Sequence, residues 1–175
     1  MKKIITIVAL LTASVSNAQT SWEKVEISSN LVVSFPAKPL KNEPANGKKI
    51  FILKHADSTA NYIVVSSDLG ISMGIDEATL TAEMEKEESW EQAKNALVGS
   101  MGAEATLIKD EMTTIKGNKA LKLIIEREND KGGINTLTIF IFVKGTVSYN
   151  LMFNSRGGKA DEKMKQQFFD SVEFK

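Results

Sequence analysis

The chain has no cysteine, which removes disulfides, thiol nucleophiles and cysteine-bound zinc at once. It has one histidine, His55, so any imidazole chemistry has a single residue to draw on. Neither charge is in excess: 22 lysines and arginines balance 22 aspartates and glutamates, and no basic bias advertises nucleic acid as a partner. Prolines number three, at positions 36, 39 and 44. Apolar runs long enough to cross a bilayer, about 20 residues, are missing. There is no internal repeat and no low-complexity segment. What remains, 42% hydrophobic and 25% charged over 175 residues, is the composition of one globular domain.

Residues 1–18 stand apart. Lys2 and Lys3 precede an apolar stretch from Ile4 to Ala13, too short to span a membrane, and Ser16 and Ala18 place small residues before a cleavage point. The expectation is a secretory signal cut between Ala18 and Gln19. No cysteine follows the cut, so a bacterial lipoprotein anchor is excluded. Removal takes two lysines and no acid, leaving a mature chain with a small acidic excess. Residues 19–30 read as an N-terminal lead-in, and 31–175 as the domain.

The domain reads as α+β. Leu31, Val33 and Phe35 alternate with Val32 and Ser34, and Pro36 ends that strand because proline cannot donate to a ladder. Pro39, Pro44 and Asn46-Gly47 predict a loop. Strands at Lys49–His55 and Tyr62–Ser66 flank a short turn and pair as a hairpin. Asp76 to Met101 is helix, capped by Asp76. Leu80 and Trp90 lie about 80° apart on a helical wheel, which predicts a break near Ser89 and an end at Gly99 and Gly102. Strands follow at Thr106–Thr114, across Leu121 to Ile125, at Leu137–Val143 and across Val147 to Phe153. Turns are expected at Gly117-Asn118, "ENDKGGIN" and Lys144-Gly145-Thr146. Ala160, Met164, Phe168 and Val172 mark a last amphipathic helix. The sum is a mostly antiparallel sheet of six or seven strands flanked by helices.

Candidate chemistry is sparse, and each candidate has a plain structural reading beside it. His55 with Asp57 could supply two members of a hydrolytic triad. The nearest nucleophile string, "VGSMG" at Val98–Gly102, lacks the first glycine of an elbow and ends a helix, so His55 reads as a strand-end residue. Glu83, Glu87 and Glu91 share a helix face and could gather a divalent cation. With Lys86 and Lys94 beside them they read better as a salt-bridged, solvated face. "NDKGG" at Asn129–Gly133 lacks cation-loop spacing and reads as a hairpin turn. Arg156-Gly157-Gly158 before the last helix has the order of an anion cradle without its lysine-serine pair. Trp90, Met84 and Met101 could line an apolar pocket, or simply be core. The Pro36 to Pro39 spacing is that of a polyproline ligand, but it follows directly on an apolar strand and reads as a strand stop.

A strand running into "SFPAKP" (Ser34–Pro39) early in a chain with an export signal, and an ending "FFDSVEF" (Phe168–Phe174), resemble the opening and closing signatures of PsbP-like domains. Val172 departs from the pattern, standing where an aromatic often follows the serine. The resemblance implies an α/β/α sandwich around an antiparallel sheet. It also implies a non-enzymatic role of the kind such domains fill as extrinsic subunits, assembly factors and envelope-associated binding proteins. Both stretches are scaffold, so no catalytic, metal or cofactor residue carries over and no cofactor is expected. The "NAQ" cleavage region resembles that of Gram-negative Bacteroidota, which implies a periplasmic or extracellular protein. The expected function is therefore an exported non-catalytic binding or accessory module acting on an envelope protein or an apolar ligand. The alternatives are a small lipid carrier and a hydrolase with an unrecognised site.

Overall fold

The computed structural model describes residues 22–55, 59–129, 131–157 and 161–175. The expected cleavage site, Ala18 and Gln19, lies outside them. Leu31, Val33 and Phe35 form strand β2 (Leu31–Phe35) and are fully buried, as their alternation predicts. Pro39, the second proline of the P-x-x-P, is itself buried, which is incompatible with a freely presented ligand.

The part read as a lead-in contains a further strand, β1 (Glu23–Ser28), antiparallel to β2. Only Val25 and Ile27 supply apolar side chains to it, too short a pattern to stand out from the sequence. A two-residue strand at the chain end, which we call β10 (Glu173–Phe174), pairs with the other side of β2. The expected single sheet is therefore two: a three-stranded sheet β1-β2-β10, and a larger sheet built from the rest of the chain.

The larger sheet has seven strands, all antiparallel. They are β3 (Leu40–Asn42), β4 (Lys48–Lys54), β5 (Ala60–Asp68), β6 (Ala105–Ile115), β7 (Asn118–Glu128), β8 (Ile134–Lys144) and β9 (Val147–Arg156). Their spatial order is β3-β4-β5-β9-β8-β7-β6. The predicted β4–β5 hairpin and the β6-to-β9 meander are both present. Strand β3 falls where a loop was expected: three exposed residues are held by pairing with β4, not by burial. The first meander turn sits one residue earlier than expected. Lys116 (φ 47°) and Gly117 (φ 81°) form a two-residue connection of the left-handed kind that suits strand twist, and Asn118 already belongs to β7.

Four helices complete the fold. The short α1 (Leu69–Met73), not foreseen from the sequence, is started by Asp68, whose Oδ1 accepts the Ile71 N–H. Asp76 caps α2 (Glu77–Met84) as predicted, accepting the Thr79 N–H at 2.8 Å. The break before α3 (Glu87–Ser100) comes at Glu85 and Lys86, not near Ser89. Trp90 explains the position. Its indole Nε1 reaches back to the Met84 carbonyl at 2.7 Å, satisfying a helix-end acceptor that the break exposes. The last helix, α4 (Glu162–Asp170), is capped by Asp161.

Helices and sheets form three layers. On one face of the large sheet, Leu121, Leu123, Ile125, Ile139 and Ile141 pack with Trp90, Leu97 and Met101 beneath α2 and α3. On the other, Tyr62, Val64, Leu151 and Phe153 pack with Ile27, Leu31, Val33 and Phe35 of the small sheet and with Phe168 of α4. The strand stop and the chain end meet in this second core. The Ser34 N–H donates to Ser171 Oγ at 3.0 Å, and the rings of Phe35 and Phe168 lie 5.6 Å apart.

Candidate functional site

The second face is not covered to its edge. Phe168 and Phe169 anchor α4 over β9 and β8, and the helix stops short of β7 and β6. A groove of about 430 Å³ remains between α4 and those two strands. Its floor comes from alternating positions of three neighbouring strands: Thr113 on β6, Ile124 on β7, and Thr138 and Phe140 on β8. Phe169 closes the inner wall, its ring 4.7 Å from that of Phe140. The floor thus sets one aliphatic and one aromatic side chain beside two threonine hydroxyls.

Charge frames the groove. Glu111 and Lys122 stand opposite each other in the β6–β7 register, 3.0 Å apart, and Lys109 approaches Glu111 at 2.6 Å. Hydrogen bonds from Lys109 and Lys122 hold the Glu111 carboxyl below its ordinary range. The Lys122 ammonium also lies 5.9 Å from the centre of the Phe140 ring, within cation–π reach. Across the groove, Lys165 pairs with Glu162 on α4, and Gln166 bonds Asp170. Lys116 sits at the hairpin end. The arrangement suits an apolar segment with polar flanks.

The residues singled out from the sequence lie elsewhere. His55 follows β4, with its main-chain N–H on the Ala60 carbonyl. Asp57, its proposed acid, lies outside the described residues. Glu83 and Glu91 do not share one helix face as expected, because the break puts them on different helices; each is paired instead, with Lys86 and Lys94 respectively, at 2.6 Å. Lys94 extends to Asp110 on β6 at 2.9 Å, so the acidic run ties α3 to the sheet edge. Asn129 closes the β7–β8 hairpin, its Oδ1 accepting the N–H groups of Lys131 and Gly133.

Of Arg156-Gly157-Gly158, Gly158 is outside the described residues. Arg156 lies across the sheet, its guanidinium 3.2 Å from the Asn61 side-chain amide. The α4 N-terminus is occupied by the Asp161 carboxylate, which accepts the Met164 N–H at 3.1 Å, so the anion seat considered there is already taken. Trp90, at 4% exposure, is core, with Met84 and Met101 packed against its cluster. The groove escaped sequence reading because it exists only where α4 crosses a sheet whose strands are far away in the chain. Its one local trace is Lys122 and Ile124 on a face of β7 that also carries buried Ala120.

No protein-family model matches the sequence, and no curated protein matches it. Solved structures do match in shape. The Ran-binding protein Mog1p of Saccharomyces cerevisiae superposes with a TM-score of 0.50 at 10% identity, covering 88% of this chain and 95% of that one. The solution structure of cyanobacterial PsbP from Synechocystis gives 0.49 at 13% identity over 94% and 99%. A Bacteroides thetaiotaomicron protein gives 0.45 at 13% identity over 83% of this chain, which spans 45% of that protein's length. The α+β architecture expected from the sequence, a mostly antiparallel sheet flanked by helices, is present. At these identities the likeness is one of fold.

Proposed function

We propose that this chain is an exported, non-catalytic binding or accessory module that uses the groove between α4 and the β6–β7 edge to hold an apolar segment of an envelope protein. The observation that carries the reading is the groove's composition: Ile124 and Phe140 on the floor and Phe169 on the inner wall, inside a frame of paired charges. Binding is favoured when an apolar centre excludes water and polar groups at the rim set register. The groove also opens along the sheet edge, which suits a chain lying through it better than an enclosed lipid. Mog1p, a Ran-binding protein, lends support, since its fold serves protein binding there. Export rests on the leader pattern at residues 1–18, and N-terminal sequencing of the protein recovered from cells should begin at Gln19.

The test is a comparison of wild type with Ile124→Glu, a change at a half-exposed floor position. Both should show the same folded circular dichroism spectrum. Envelope protein retained by immobilised wild type should be lost from the variant. Equal retention by both would contradict the proposal.

A further inference from the structure

The opposite face of the large sheet is only half covered. Helices α2 and α3 lie over β6, β7 and β8, while the aliphatic side chains of β3, β4 and β5 on that side are left exposed or partly exposed. Side chains directly opposite in an antiparallel register share a face. The pairings Leu40 with Ile52, Ile52 with Ile63 and Ile50 with Val65 therefore place five aliphatic side chains together on the bare half, bordered by Met152 of β9, which packs against the α2–α3 cluster. Leu40 is 80% exposed and the other four are partly exposed. The same register puts Lys48, Lys54 and Arg156 on this face, all exposed. No aspartate or glutamate stands on this face of β3, β4, β5 or β9.

We propose that this half-sheet docks an amphipathic helix of a partner protein, its apolar stripe on Ile50, Ile52, Ile63 and Val65 and its flanks acidic. Three observations choose that occupant. First, the aliphatic surface on the neighbouring half of the same face already binds helices of this chain, so the surface chemistry suits a helix. Second, the dimensions agree: the two gaps from β3 to β5 span about 10 Å, and a helix with its side chains is about 10 Å across. Third, the strand residues on this face carry cations and no anions, which complements acidic flanks. This charge also disfavours a second copy docked face to face, where the same cations would oppose one another. Most of the side chains are recessed among their neighbours, which suits a packed helix better than insertion into a lipid surface.

The probes are two synthetic amphipathic helices of about five turns with the same leucine stripe, one flanked by glutamates and the other by lysines. Amide spectra of the full chain, titrated with each, provide the readout. The glutamate-flanked peptide should shift the signals of Ile50, Ile52, Ile63 and Val65, and bind about tenfold or more tightly than the lysine-flanked one. The double change Lys48→Glu with Lys54→Glu should reverse that preference, and Ile52→Glu should abolish binding, with amide dispersion showing each variant folded. Ile124→Glu should leave this binding unchanged, which separates the surface from the α4 groove.

Absence of shifts at these strands, equal binding of the two peptides, or shifts confined to the groove would overturn the proposal. So would flotation with phosphatidylglycerol-containing vesicles that Lys48→Glu with Lys54→Glu abolishes, which would assign the face to a membrane. A dimer in sedimentation that Ile52→Glu dissociates would likewise assign it to a second copy.

Discussion

The hydroxyl of Ser171, one residue beyond α4, accepts the main-chain N–H of Ser34 in β2 at 3.0 Å and donates to the Phe168 carbonyl at 2.7 Å. One side chain thereby closes the last helix and fixes the strand that opens the domain. Ser34 is 8% exposed, so its N–H has little access to water if this partner is lost. Replacing Ser171 with alanine should destabilise the protein by about 1–3 kcal/mol, the cost of a buried unpaired donor. Chemical denaturation with an unchanged m-value would check it; a midpoint equal to wild type would contradict the role.

Phe168 is the largest contributor of the same helix to the core. It is fully buried, and its ring lies 5.3 Å from Tyr62 and 5.6 Å from Phe35. Phe168→Ala should cost about 3–5 kcal/mol. Because α4 forms one wall of the groove, a variant that still folds should also lose binding there. Thermal melts read the first effect, and retention of the envelope partner the second.

Tyr149 on β9 shares a 2.6 Å hydrogen bond with Ser28 on β1, joining the two sheets. Burial pushes its hydroxyl above the ordinary phenol value of 10.0, outweighing the lowering by Ser28. A group whose folded pKa is raised stabilises fully below the unfolded value and loses that contribution as pH rises. Stability should therefore fall above about pH 10 in wild type. Tyr149→Phe should cost about 1 kcal/mol at neutral pH and flatten that alkaline limb. A limb unchanged in the variant would assign the alkaline loss to other groups.

Glu111 gives the opposite sign. Lys109 and Lys122 hold its carboxyl below the ordinary value of 4.5, so its contribution is present above that value and is lost as pH falls through the lower folded pKa. Glu111→Gln should reduce stability slightly at neutral pH and flatten the acid limb below pH 4.5. Urea midpoints of the two proteins measured across that range would show it.

The non-catalytic reading makes a prediction about His55. Wild type and His55→Ala should give the same background rates with generic ester, phosphate and glycoside substrates. Turnover that disappears with the imidazole would put a hydrolase in place of a binding module.

The fold was legible where burial imposes a period on the sequence. The alternation of Leu31, Val33 and Phe35 and strands β7 and β9 follow from apolar side chains repeating every second residue, and β8 from a run apolar on both faces. Pieces held mainly by pairing were not: β3 is exposed, β10 is two residues long, and β1 offers two apolar side chains. The helix break was foreseen from the angle between Leu80 and Trp90, but its position depends on the indole meeting the Met84 carbonyl, a contact no wheel contains. The groove was the least legible feature. Lys122, Phe140 and Phe169 come from three elements, and nothing local in the chain marks them as neighbours. Two eye-catching features, the glutamate run and Trp90, instead have ordinary structural roles, in ion pairs and in the core.

The most direct test of the central claim is a photo-crosslinking amino acid placed at position 124, on the groove floor, and separately at exposed position 88 on α3, in protein expressed in its native cells. Illumination should give a discrete protein adduct from position 124, absent at position 88, with the attachment mapping to an apolar segment of the partner. Absence of an adduct at 124, or the same adduct from both positions, would contradict the assignment of the groove as the binding site.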